Sequence, residues 1–191
     1  MTDWTLPDTE APLVTIIIPA YNEVENIGPT IASTLNINYP ALEIIVVDDG
    51  STDATFQLAE DFVTKHTDSH LSSSIQVVTQ KNTGKASALN HGYSLAKGEY
   101  ILSMDADSEL DPNSVRRLVS RILASGAEVV AGQVIIKNTR NMITYLQHLE
   151  YVIMNGTSRM FQSFFSAVLV APGPITLFSR KGMEKSVKFR E

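Results

Sequence analysis

Asp105 and Asp107 flank a single alanine, and Asp48 and Asp49 are adjacent; these are the side chains whose type and spacing best suit chemistry. Each cluster follows an apolar, β-branched run: Tyr100-Ile101-Leu102-Ser103-Met104 before Asp105-Ala106-Asp107, and Leu42-Glu43-Ile44-Ile45-Val46-Val47 before Asp48-Asp49-Gly50-Ser51. Carboxylates drawn together repel unless a cation or hydrogen-bond donors fill the gap. Asp105 and Asp107, on one side of an extended stretch, could hold one Mg2+ or Mn2+, hard ions that take carboxylate and phosphate oxygens. One acid of the Asp48-Asp49 pair could cap a turn while the other accepts from a ribose hydroxyl or a base N–H. A structural reading competes with each. Asp-x-Asp also marks solvated turns, Ser51 and Asp53 are good capping types, and Asp107 and Asp111 could cap a helix starting at Pro112.

Two further loops carry polar groups after or between such runs. In Pro19-Ala20-Tyr21-Asn22-Glu23, Tyr21 can stack on a base and Glu23 can accept hydrogen bonds. Asn82-Thr83-Gly84-Lys85 puts a cation at a helix N-terminus, which suits a phosphate, although its glycine spacing is not that of a P-loop. Taken singly, a proline-started turn and a surface lysine explain these two. His66, His70, His91 and His148 show no metal-site spacing and receive no role.

The elements that must position these groups alternate. Leu13 to Ile18 reads as a buried strand closed by Pro19, Asn26 to Leu35 as a helix, and Leu42 to Val47 as a second strand. A helix capped by Thr52 or Asp53 runs to about Lys65, with Phe56, Leu58, Ala59, Phe62 and Val63 toward the core. His66 to Ser74 is a polar loop before a strand at Ile75 to Thr79. A helix from Lys85 to Ala96 ends at Gly98, and Tyr100 to Met104 is the fourth strand. Asp111-Pro112 starts a helix that closes near Gly126, and Val129 to Ile136 is a further strand. Repeated βα units imply an α/β fold with a mainly parallel sheet flanked by helices, and ligands in such sheets bind beyond the carboxyl ends of the strands. From Met142 to Phe165 apolar residues surround a helical axis, a pattern that needs covering by protein or a membrane surface.

Composition removes several classes. The 191-residue chain is 43% hydrophobic and 19% charged, ordinary for a globular domain. A net charge of −6 with no Lys/Arg stripe argues against nucleic acid as a partner. No cysteine is present, so disulfides, thiolate zinc sites and thiol nucleophiles are excluded. Residues Met1 to Pro12 are polar and carry Asp3, Asp8 and Glu10, unlike a signal or transit peptide.

Together the loops resemble those of the family 2 glycosyltransferases of the GT-A fold. The stretches that carry the likeness are Val14 to Glu23, Glu43 to Ser51, Asn82 to Asn90 and Gly98 to Asp107, which lie in order within residues 13–135. The resemblance implies a nucleotide-diphospho-sugar domain that transfers a hexosyl or N-acetylhexosaminyl group, with inversion, from UDP-N-acetylglucosamine or UDP-glucose to a growing glycan acceptor. It implies donor binding by Pro19, Ala20, Tyr21, Glu23, Asp48, Asp49, Lys85, Asp105 and Ala106, with Asp48 supporting its loop. It makes Asp105 and Asp107 the site of a Mg2+ or Mn2+ ion, Asp107 the more direct ligand. A nucleotidyltransferase also uses acids at strand ends, but its glycine-rich basic loop has no counterpart in Pro19 to Glu23.

The later part of the chain is similar to the processive synthases of poly-N-acetylglucosamine, hyaluronan, chitin and cellulose. That likeness places Gly173, at the start of the Gly173 to Arg180 segment, beside the acceptor sugar. It divides the chain into a tail (1–12), a nucleotide-sugar domain (13–135) and the start of an acceptor-side region (136–191). The family's Glu-Asp base motif and Gln-x-x-Arg-Trp motif do not occur, and Trp4 is the only tryptophan. The resemblance therefore puts the general base and membrane-associating spans beyond Glu191, with the whole protein at the cytoplasmic face of the cell membrane. The alternative is a nucleotide-sugar-binding module without a base and without turnover.

Overall fold

Val14–Ala20 (β1) and Leu42–Asp48 (β2) are buried at every position, because apolar residues occupy both faces of each strand and helices cover both. They form the middle of a sheet seen in a computed structural model that describes residues 7–66, 74–132 and 174–185. The other strands are Ser74–Thr79 (β3), Tyr100–Met104 (β4), Val129–Ala131 (β5) and Ile175–Ser179 (β6). The helices are Ile27–Leu35 (α1), Thr55–His66 (α2), Lys85–Leu95 (α3), Ser114–Ser125 (α4) and Arg180–Lys185 (α5). Strand order is β3-β2-β1-β4-β6-β5. β3, β2, β1 and β4 run parallel, whereas β6 is antiparallel to both neighbours. This is the α/β, mainly parallel architecture anticipated from the sequence.

Alternation along the strands makes two cores. Ile16, Ile18, Ile44 and Val46 pack with Ile27 and Ile31 of α1 and Val115 and Val119 of α4. Ile17, Ile45, Val47 and Ile101 pack with Ala88 and Leu89 of α3 and Met183 of α5. The chain winds outward from β1 through β2 to β3, then returns to place β4 on the other side of β1. Such a reversal opens a crevice at the carboxyl ends of β1 and β4.

Several boundaries differ from the sequence reading. Pro19 does not close β1; the strand continues to Ala20, with Pro19 opposite Val47. The ladder to β4 ends at Ile17–Ser103, so the proline removes no bond from that side. Gly98 is not the helix stop, since α3 ends at Leu95 and Ala96 after it is already extended. Its lack of a side chain serves packing: a Cβ there would lie 2.6 Å from the Thr15 backbone nitrogen and 2.8 Å from Tyr100 O. α4 starts two residues after Pro112, because Pro112 and Asn113 form a turn in which Asp111 Oδ1 accepts from Asn113 N at 3.0 Å. Leu58 is exposed rather than in the core.

Residues on both sides of position 135 supply strands to this sheet, because β6 lies between β4 and β5. Among the described residues no helix is long and apolar enough to cross a membrane. The apolar stretch Met142 to Phe165 lies outside the described residues, as does Gly173.

Candidate active site

The crevice is built by four loops bonded to one another. Asn22, at φ 55°, donates its N–H to Ser51 Oγ at 3.0 Å, and its side-chain oxygen accepts from Thr52 N at 2.8 Å. Glu23 N donates to Thr55 Oγ1 at 2.8 Å, and the Glu23 carbonyl accepts from Asn26 and Ile27, which starts α1. These bonds join the loop after β1 to the loop after β2. Gly50, at φ 70°, brings the second loop against the third; a Cβ there would stand 2.8 Å from Asn82 N. The fourth loop, after β4, is fixed from beneath by α1. Thr30 Oγ1 donates to Ala106 O at 2.6 Å and Leu110 N donates to Ser33 Oγ at 3.1 Å.

The loops enclose a cavity of about 350 Å³. Pro19, Ala20, Tyr21 and Glu23 line it from the first loop, Asp49 from the second, Lys85 from the third, and Asp105, Ala106 and Asp107 from the fourth. Asp48 does not line it. That side chain is buried and accepts from Ser51 N at 3.3 Å and from Thr79 Oγ1 at 2.9 Å. Gly173 lies outside the described residues, so its placement beside an acceptor stays an expectation.

The acids differ in what their own chain gives them. Asp49 is 3% exposed, and its Oδ1 accepts from Gln80 Nε2 at 2.7 Å and Thr83 N at 3.1 Å. Its Oδ2 accepts from Gly84 N at 2.8 Å. A carboxylate offers about four lone-pair sites, so roughly one remains. Asp105 Oδ1 takes Lys85 Nζ at 2.5 Å. Asp107 is exposed, and among the described residues its carboxylate receives Ser108 Oγ at 3.4 Å. Asp53, by contrast, is held below the usual carboxylate range by the Thr55 hydroxyl, and bonds Thr55 N as a cap does.

Asp105 and Asp107 lie in a turn closed by Ser108 N donating to Asp105 O at 3.1 Å, not in the extended stretch that the sequence suggested. Both nevertheless border the cavity, and neither caps α4. Their oxygens suit a divalent ion. Among the described residues, however, no group of three His, Asp or Glu gathers to hold one. Two carboxylates with the remainder supplied by phosphate oxygens and water is the arrangement in which Mg2+ is commonly bound. The residues present fit such an ion when it arrives with a phosphorylated ligand.

Sequence reasoning did not select Gln80, Thr30 or Ser33, and gave Asn82 no role of its own within its loop. Gln80 bonds Asp49 and, through its carbonyl, His91 Nδ1 at 3.0 Å, while Asn82 borders the cavity. These contacts join residues distant in the chain, and none forms a local pattern.

Comparison with known proteins fits this geometry. Residues 15–186 match the model of the family described as Glycosyl transferase family 2. The chain belongs to glycosyl transferase family 2. A poly-beta-1,6-N-acetyl-D-glucosamine synthase of Staphylococcus epidermidis is 30% identical over 174 residues, which cover 90% of this chain and 40% of that protein. The corresponding synthase of Staphylococcus aureus strain COL is 31% identical over 173 residues, again 40% of its length. The chain thus spans about two fifths of these family 2 relatives. Among solved structures, a mannosyltransferase of Pyrobaculum calidifontis in complex with GDP-Man and Mn2+ superposes with a TM-score of 0.72 at 25% identity. It covers all of this chain and 51% of the other. The S. aureus TarS fragment 1–349 in complex with UDP-GlcNAc gives 0.56 at 25% identity, over 68% of this chain and 36% of that one.

Proposed function

We propose that the cavity binds a UDP-sugar together with Mg2+ or Mn2+ and presents its sugar for inverting transfer to a growing glycan, N-acetylglucosamine being the favoured sugar. One observation carries the reading: Tyr21, Asp49, Lys85, Asp105 and Asp107 border a single cavity where β1 and β4 diverge. The names of the relatives support a glycan product, and the UDP-GlcNAc complex supports the donor.

Each residue then has a task. Tyr21, 46% exposed, offers its ring to the base. The remaining acceptor position of Asp49 matches the single N3–H of uracil better than the adjacent N1–H and N2–H2 donors of guanine. Lys85 and the start of α3, which no side chain caps, face the diphosphate. Asp105 and Asp107 hold the ion, which when bound supplies the positive charge that stabilises the departing diphosphate. In the transfer, an acceptor hydroxyl oxygen bonds to the anomeric carbon as the bond to UDP breaks, and the hydroxyl proton passes to a general base. The carboxylates of the cavity all serve the donor side, so we place that base outside the described residues.

Calorimetric titration of UDP and GDP, with and without Mn2+, tests the reading. UDP is expected to bind tighter with Mn2+, and GDP to bind at least tenfold more weakly. Absence of nucleotide binding would overturn the assignment, and equal UDP affinity with and without metal would remove the ion from it. Release of UDP from UDP-N-acetylglucosamine in the presence of glycan acceptors distinguishes an enzyme from a module that only binds.

A further inference from the structure

The contact between Lys85 Nζ and Asp105 Oδ1, 2.5 Å apart, sets a cation against one of the two carboxylates read as the metal pair. We infer that Lys85 is a resident counter-ion that holds Asp105 against a free divalent ion and releases it when a diphosphate enters. Metal and nucleotide then load as one unit. The inference rests on the reading of Asp105 and Asp107 as a metal site and adds an order to its filling.

Three observations carry it. The first is scarcity of ligands: among the described residues no third His, Asp or Glu joins the two acids. With Asp105 paired to a lysine, a metal ion without nucleotide meets Asp107 alone, and one exposed carboxylate holds such an ion poorly. The second is freedom of movement. The Lys85 side chain is 58% exposed, while its backbone is fixed as the first residue of α3, so the ammonium can swing without rearranging the helix. The third is the destination. A diphosphate carries more charge and more acceptor oxygens than a single carboxylate, and the start of α3 favours an anion beside Lys85. Once the ammonium turns to the phosphates, Asp105 is free to join Asp107. The coupling is reciprocal, so UDP strengthens Mn2+ binding by the factor with which Mn2+ strengthens UDP binding.

Electron paramagnetic resonance of free Mn2+ measures the metal affinity directly, with no turnover required. The full chain and its Lys85→Met, Lys85→Arg and Lys81→Met variants are titrated with Mn2+ in the absence and presence of UDP. Without UDP, Lys85→Met is expected to bind Mn2+ about tenfold tighter than the unaltered chain, the scale of removing one nearby like charge and one ion pair. Lys85→Arg, which keeps charge and pairing, should resemble the unaltered chain. Lys81→Met, which removes an exposed charge from the same loop, should do so too. Addition of UDP should then strengthen Mn2+ binding by a smaller factor in Lys85→Met than in the unaltered chain. Equal or weaker Mn2+ binding by Lys85→Met without UDP overturns the counter-ion role and leaves the metal site standing. Absence of Mn2+ binding in every protein, even with UDP, overturns the metal site and the exchange together.

Discussion

The two ends of the central strands both carry acids, and they use them differently. At the amino end Glu43, 3% exposed, accepts from Thr15 Oγ1 at 2.6 Å and Lys97 N at 2.8 Å, and Thr15 Oγ1 in turn accepts from Gly98 N at 2.8 Å. Arg180 closes the same end. Its Nε and Nη2 donate to Gly98 O and Ala96 O, and its guanidinium lies 5.2 Å from the centre of the Tyr93 ring. There the donors are backbone N–H groups and a buried hydroxyl, which cannot leave. At the carboxyl end, service by the chain declines in steps from Asp48 and Asp49 to Asp105, which has an exposed lysine, and Asp107, which has a neighbouring hydroxyl at 3.4 Å. Donor count alone does not sort the acids, since Asp49 borders the cavity with three donors in place and Glu43 is enclosed with two; the two acids that lack fixed donors, Asp105 and Asp107, are the pair read as holding the ion.

The largest effect should separate the ends outright. Asp107→Ala is expected to weaken UDP binding in the presence of Mn2+ by about 2 kcal/mol or more, roughly thirtyfold, through loss of a charged partner. It should also abolish the metal dependence. Its melting temperature should stay unchanged, since the side chain is exposed. Glu43→Ala should behave in the opposite way. Stranding Thr15 Oγ1 and Lys97 N costs about 1–3 kcal/mol, with a fall of about 2–4 °C in melting temperature for each kcal/mol. UDP affinity at saturating Mn2+ should not change. Calorimetry beside differential scanning measures both. A Glu43 variant that melts normally but binds UDP weakly would break the comparison.

Tyr21→Ala refines the contrast within the site itself. Loss of a base–aromatic stack should weaken binding of UDP by about 1–3 kcal/mol and of uridine by a similar amount, because the contact is to the base. At 46% exposure the ring contributes little to the core, so the melting temperature should hold. A lower melting temperature with unchanged uridine affinity would move Tyr21 from the site to the scaffold.

Legibility followed the range of the interactions. β1, β2 and β4 and helices α1 to α4 were readable to within a few residues, because apolar runs and 3.6-residue spacing are local properties. The four polar loops were readable as a group because each stands beside such a run. β6 was not. Ile175–Ser179 is a five-residue stretch whose place between β4 and β5 depends on pairing with strands far away in the chain. Gly98 looked like a helix stop because Gly and a helix end coincide there, while its actual constraint is the Thr15 backbone across the sheet. The pairing of Lys85 with Asp105 and the bracing of Asp49 by Gln80 likewise span loops, and no periodicity encodes them.

The smallest effect lies at the amino end and depends on pH. Tyr39 is 6% exposed and donates its hydroxyl to Pro12 O at 2.7 Å. Burial pushes its pKa well above the ordinary value, and the Arg116 guanidinium offsets this only in part. Burial and Glu99 raise Tyr100 in the same direction. A phenol held protonated in the folded state contributes stability that is complete below the unfolded pKa of about 10 and is lost as pH climbs from there toward the raised value. The chain should therefore melt at a constant temperature as pH rises from 7 to about 9.5, as far as these tyrosines govern it, and at falling temperatures above about 10. Tyr39→Phe removes one hydrogen bond, worth about 1 kcal/mol, and should lower the melting temperature at pH 7 by about 2–4 °C. It should also flatten the alkaline decline, leaving the share that belongs to Tyr100. Because Tyr39 stands a strand's length from the cavity, UDP affinity at pH 7 should be the same in both proteins. A loss of affinity without a loss of melting temperature would show that the two ends of the sheet are not independent.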